Sequence, residues 1–204
     1  MYAALLCMAV LLITAGVALA IPRMRTSRLR TRFGSEYDRE LARNGGAVSR
    51  TEDELEQRLA RHRRLPITAP GPAERELALD EFRGLQVLFV ADPPRAVEEM
   101  HQLVTDLVDR AGYPREQREE ALSVDFARQL AAYRSALATV ERTRARQVTT
   151  EELRGALLGL RGLGLAVVLH EPARGPRETT VRGRPGRPWS TRGPVTTGGR
   201  ARRA

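Results

Sequence analysis

Lysine is absent from this 204-residue chain, and all 34 basic side chains are arginine. Such a complete replacement points to a GC-rich bacterial genome. It also weakens any case that a single arginine is there for its guanidinium chemistry. Cysteine occurs once, as Cys7, inside an apolar run and without the small preceding residue of a lipoprotein signal, so the rest of the chain can form no disulfide. Histidine occurs three times, as His62, His101 and His170, on separate segments and without metal-ligand spacing. No P-loop, G-x-G-x-x-G or G-x-S-x-G elbow is present. No catalytic, cofactor-binding or metal-ligating set is therefore expected, and the chain reads as a non-enzyme. No stretch alternates with period two, which argues against strands.

What is present is asymmetric charge. The net charge is +9 with a pI near 11.0, values that suit a nucleic-acid binder. The distribution argues otherwise. Residues 23–32 hold five Arg and no acid, and residues 172–204 hold nine Arg and one Glu, which leaves residues 33–171 at −4. The excess positive charge sits at the two ends of a mildly acidic body.

Met1 to Ile21 carries no charged side chain, and Pro22 follows. A helix of that length rises roughly 31 Å, matching a hydrocarbon core of about 30 Å. Residues 1–22 thus read as a single transmembrane anchor, and residues 23–34 as an Arg-rich juxtamembrane collar. The positive-inside rule then puts the N-terminus outside the cell membrane and the C-terminal body in the cytoplasm. The competing reading is a signal peptide cleaved near Ala20, where Ala18-Leu19-Ala20 fits the small-x-small pattern. The long apolar stretch and the missing basic n-region oppose it.

Residues 35–171 read as an all-α body. Ser35 is a candidate N-cap for a short helix from Glu36 to Arg43, closed by Asn44-Gly45-Gly46. Ser49 with Glu52 and Thr51 with Glu54 fit capping boxes for a charged, solvated helix with Leu55 and Leu59 as its narrow stripe. Leu65 to Pro72 is a linker. The next helix, Ala73 to Ala91, carries Leu77, Phe82, Leu85, Leu88 and Phe89. Asp92-Pro93 starts another with Val97, Met100, Val104, Leu107 and Ala111, ended by Gly112-Tyr113-Pro114. Asp125 is read as the cap of a helix bearing Phe126, Leu130, Tyr133, Leu137 and Val140, and Ser123-x-Asp125 as capping chemistry and not a hydrolase site. Thr149 with Glu152 is a third capping box, opening a helix with Leu153, Leu157, Leu160, Leu163 and Val167. Gly155, Gly159, Gly162 and Gly164 interrupt that helix at about 0.8–1.0 kcal/mol each, so close packing must offset them or the helix is loose. The fold class expected is all-α: an N-terminal transmembrane helix, a small antiparallel helical bundle and a disordered basic tail over residues 172–204.

Five stretches together resemble a family of uncharacterised actinobacterial single-pass membrane-anchored proteins. They are Arg32-Phe33-Gly34-Ser35-Glu36-Tyr37-Asp38-Arg39, Gln86 to Asp92, Arg110-Ala111-Gly112-Tyr113-Pro114, Leu122-Ser123-Val124-Asp125, and Thr150-Glu151-Glu152-Leu153-Arg154. The resemblance implies one membrane span and a helical body, and no established activity. The chain departs from the pattern at Ala91, where an acid is usual, at Phe126, where His is usual, and in its glycine-rich last helix.

The expected function is a non-catalytic helical interaction module on a single-pass membrane protein, with an unknown protein partner. Arg23, Arg25, Arg28, Arg30 and Arg32 of the collar and Arg182, Arg184 and Arg187 of the tail are candidate contacts for polyanions, the anionic inner leaflet first among them. The alternatives are a membrane-tethered nucleic-acid binder acting through the tail and a secreted helical protein. Arg182-Gly183-Arg184-Pro185 matches the core of an AT-hook, but four residues in such a tail point to sequence-blind binding and not to sequence reading. No cofactor is expected.

Overall fold

In a computed structural model, residues 23–144 and 148–171 are described. Among them eight helices and no strand occur. α1 covers residues 23–33. It is followed by α2 (Ser35–Arg43), α3 (Val48–His62), α4 (Pro72–Ala91), α5 (Pro93–Arg110), α6 (Arg118–Asp125), α7 (Ala127–Arg144) and α8 (Thr150–Leu169).

The four long helices α4, α5, α7 and α8 form a bundle around α8, which packs on α7 and α5 most extensively. Arg142 meets Glu152, and the Gly159 backbone lies against Ala132 and Ala136, so α7 and α8 run antiparallel. The expected stripes of α5 and α8 are the ones that enter the core: Val97, Met100, Val104 and Leu107, and Leu153, Leu157, Leu160, Leu163 and Val167, are all buried. The two inward glycines of α8 explain themselves. A Cβ on Gly159 would stand 2.6 Å from the Ala132 carbonyl oxygen, and one on Gly164 would stand 2.5 Å from Phe82 Cζ. Both positions are points of close helix approach.

A second layer is built by α1, α2, α3 and α6. Its core is Leu29, Phe33, Tyr37, Leu55 and Val124, with Leu41 and Leu59 packed against it. The collar is therefore helical, and its apolar face is core. Gly34, at φ +52°, lets the chain pass from α1 into α2.

Several expectations are corrected. Among the described residues no helix is long and apolar enough to cross a membrane, so the described architecture includes no transmembrane helix of the expected fold class. The most apolar long helix, α8, carries Glu151, Glu152, Arg154 and Arg161 and buries Leu153, Leu157, Leu160 and Leu163 in the bundle. Residues 1–22, from which the span was read, and residues 172–204, the expected tail, lie outside the described residues. Ser35 is not a cap, because α2 already includes it and Gly34 precedes it. α3 begins at Val48 without a side-chain cap, which puts Ser49 and Thr51 inside it; the Thr51 hydroxyl donates to the Ala47 carbonyl instead. Nor is α3 merely solvated, since Glu52 and Arg58 are buried on it. On α4, Leu77 is 49% exposed and Ala78 is the buried neighbour. Ser123 and Asp125 belong to α6 and do not open α7. The caps at Asp92 and at Thr149 with Glu152 form as expected.

Candidate functional site

Asp125 is the residue on which the most distant segments converge. It is the last residue of α6, and its carboxylate is almost enclosed, with 8% of the side chain exposed. Its Oδ2 lies 2.6 Å from His62 Nε2 at the end of α3 and 2.7 Å from the Tyr113 hydroxyl in the turn after α5. His170, just past α8, places Nε2 at 3.8 Å from the same oxygen, and Arg32 of α1 places Nη2 at 3.9 Å from Oδ1. An ionised carboxylate only accepts, so the short contact requires the proton on His62 Nε2. Burial alone raises the Asp125 pKa. The His62 and Tyr113 hydrogen bonds and the His62 and His170 charges outweigh it, and the carboxyl ends below its ordinary value. Burial first, then the Asp125 charge and hydrogen bond, push the Tyr113 hydroxyl up. A phenol held in that way is a hydrogen-bond donor and a poor nucleophile.

Local sequence sets this arrangement. Gly112 turns the chain at φ +92° after α5, with the Pro66 carbonyl where a Cβ would be, and so delivers Tyr113 to Asp125. Phe126 stacks edge-on against His170 at 5.1 Å between ring centres and lies 5.9 Å from the Tyr113 ring. Three of the five stretches on which the resemblance rests fall here and at the neighbouring joints: Phe33 to Tyr37, Gly112-Tyr113, and Ser123 to Asp125. In this chain they are packing elements.

Two further polar ties are present, one joining the second layer to the bundle and one within the second layer. Arg134 of α7 donates to both oxygens of buried Glu36 at 2.6 and 2.7 Å, and also to Glu119. Buried Arg58 of α3 donates to Glu40 of α2 and to the Ser123 hydroxyl, which itself donates to the Glu120 carbonyl. Ser123 is thus fully committed to structure.

The other feature of note is the outer face of α8. Gly155, Leu158, Gly162 and Leu169 are exposed along it and Leu165 and Ala166 are half-buried, with Leu158 at 56% and Leu169 at 57%. This apolar row runs about 21 Å from Gly155 to Leu169 at 1.5 Å per residue. A Cβ on Gly155 or Gly162 would meet nothing within 4 Å, so these two glycines are not explained by packing within the bundle.

The candidate arginines divide. Arg25 is neutralised by Asp53 and Glu56 of α3. Arg30 stands 3.8 Å from Asp38 and over the Tyr37 ring at 5.0 Å. Arg23 also has a partner within the structure. Arg28 and Arg32 face a cleft beside His62. Arg182, Arg184 and Arg187 lie outside the described residues. The structure thus brings together His62 and His170, which their spacing kept apart, and keeps His101 away from them. The sequence hides the Asp125 convergence because an Asp ahead of the Phe126, Leu130, Tyr133 stripe has the pattern of a cap that opens a helix. The run Ala121, Leu122, Val124, buried on α6, was the signal that Asp125 ends one. The outer row of α8 was visible as Leu158, Leu165 and Leu169, at steps of 7 and 4.

Comparison of the chain with protein-family models, with curated proteins and with solved structures finds no match.

Proposed function

We propose that the chain is a non-catalytic helical interaction module that offers the outer face of α8 to an amphipathic helix of a partner protein. The observation that carries this reading is the exposed row Gly155, Leu158, Gly162 and Leu169 on a helix whose opposite face is firmly packed. Exposed leucines cost solvation, and each outward glycine costs about 0.8–1.0 kcal/mol against Ala in a helix interior. Small residues between leucines leave a shallow groove into which a second helix can set its ridge. The short polar contacts around Asp125 and Glu36 support the same reading, since they hold the two layers as one scaffold behind that face.

A photoreactive side chain at position 158 tests it. In cells of the source organism it should join the protein to one defined protein species, and Leu169→Glu should suppress that adduct without lowering thermal stability. The same group at position 50, on α3 where Arg50 pairs with Glu54, should give no such adduct. Equal adducts from both positions, or none from position 158, would overturn the reading.

A further inference from the structure

A cleft of about 450 Å³ opens between α1 and the C-terminal end of α3, within the roughly 300–1,000 Å³ typical of small-ligand sites. It is lined by Arg28, Thr31 and Arg32 of α1, His62 at the end of α3 with Arg63 just past it, and the apolar Leu59 and Val124. No carboxylate is among the lining residues. Arg28 and Arg32 stand four apart on one face of α1, and like charges at that spacing repel. Arg63 comes from the other wall, so three arginines line one depression.

Elsewhere on α1 the structure deals with such charge internally. Arg25 has Asp53 and Glu56, and Arg30 has Asp38 and Tyr37. The cleft lacks that treatment. Among the described residues neither Arg28 nor Arg63 has a carboxylate within ion-pair distance. Arg32 reaches only Asp125 Oδ1, at 3.9 Å, and the other Asp125 oxygen is already taken by His62 and Tyr113. One nearly buried carboxylate is left against three arginines.

We propose that this cleft is a binding site for a phosphate group. A phosphate offers oxygens in the geometry that guanidinium groups grip bidentately, and its charge relieves the repulsion among Arg28, Arg32 and Arg63. The apolar lining residues Leu59 and Val124 suit a phosphate carried on a modest organic group. A soluble phosphomonoester and the headgroup of an anionic phospholipid share this chemistry.

The test uses the full chain. Binding of inorganic phosphate, pyrophosphate and a soluble phosphomonoester is measured by calorimetry. Binding to phosphatidylcholine vesicles with and without phosphatidic acid is measured by co-sedimentation. At least one phosphate probe should bind saturably, and Arg28→Gln with Arg63→Gln should weaken it by about tenfold or more, as expected for losing charge-assisted contacts. Both arginines are exposed, so the double variant should keep its melting temperature, and Arg83→Gln should leave binding unchanged. Dependence on Arg28 and Arg63 for the soluble probes alone assigns a free phosphate ligand, and for the vesicles alone a lipid headgroup. No saturable binding to any probe, or binding that the double variant retains in full, overturns the proposal.

Discussion

His62 Nε2 stands 2.6 Å from Asp125 Oδ2, although 63 positions separate the two residues. The contact closes the end of α3 onto the end of α6, and Tyr113 adds its hydroxyl to the same oxygen. Asp125→Ala removes the shared acceptor and leaves two largely enclosed donors, His62 and Tyr113, unsatisfied. It should cost about 2–3 kcal/mol, since hydrogen bonds to a charged group are worth roughly 1.5–3 kcal/mol each and part of the loss is recovered by water. Tyr113→Phe keeps the His62 contact and should cost about 1 kcal/mol. Urea denaturation of the two variants checks the order. A Tyr113→Phe effect as large as that of Asp125→Ala would mean that the hydroxyl, and not the carboxylate, is the centre of the cluster.

The same carboxylate sets part of the acid limb of stability. Its native pKa lies below the ordinary 3.8, so the unfolded chain binds the proton more readily than the native one. Stability then rises with pH across this window. The Asp125 contribution is fully present above about pH 4 and is lost as the pH falls through the native pKa. Glu152 adds to that limb. The Thr149 backbone N–H, then Arg142, then the Thr149 hydroxyl draw it from 4.5 to about 2. Its exposure means that solvent and salt weaken its share. Unfolding midpoints between about pH 6 and about pH 2 should fall towards acid, and Asp125→Asn should flatten that fall. An unchanged slope in Asp125→Asn would rule out this source.

The bundle was legible from the sequence because its stripes are apolar and regular: Val97 to Leu107, and Leu153 to Val167, needed only the helical period. The second layer was much less so. Its ties run through charged residues, and nothing in the local pattern around Glu36, Glu52 or Arg58 distinguishes a buried ion from a solvated one. Partner identity comes from tertiary distance, as with Arg134 and Glu36, 98 positions apart. Gly34, and not Ser35, precedes α2 for a related reason. Gly34 adopts φ +52° where the α1–α2 joint requires it, and so it takes the position that hydroxyl capping statistics assign to Ser35. The cationic cleft was half visible: Arg28 and Arg32 are neighbours in sequence, but Arg63 reaches them only once α1 packs on α3.

Arg134 and Glu36 should be energetically coupled. The pair is bidentate, and only 5% of the Glu36 side chain is exposed. Glu36 is the leading cause that holds the Arg134 pKa above its usual value. Removing one partner leaves the other charge enclosed, so single variants overstate the worth of the pair. A double-mutant cycle with Glu36→Gln and Arg134→Met should return a coupling of about 1–3 kcal/mol, the range for contacting residues. A coupling indistinguishable from zero would show that α2 is held to α7 by its apolar contacts alone.

The four glycines of α8 should separate into two pairs with opposite responses to Ala. At Gly159 the new Cβ would meet the Ala132 carbonyl oxygen at 2.6 Å, a backbone atom that cannot swing aside, with Ala136 Cβ at 3.3 Å. At Gly164 it would meet Phe82 Cζ at 2.5 Å and Val104 Cγ2 at 3.0 Å, and that ring is itself buried. Each change should destabilise by about 1–3 kcal/mol, the usual cost of overpacking. At Gly155 and Gly162 nothing lies within 4 Å. There Ala only restricts the unfolded chain and improves helix propensity, so each change should stabilise by about 0.5–1 kcal/mol. Thermal or urea denaturation of the four single variants reads the difference directly. Loss of stability at Gly155 and Gly162 would mean that some part of the chain covers the outer face, and the proposed docking surface would fall with it. If the stabilised Gly155→Ala and Gly162→Ala variants lose the adduct formed from position 158, the two glycines serve the approach of a second helix at the expense of the stability of the free protein.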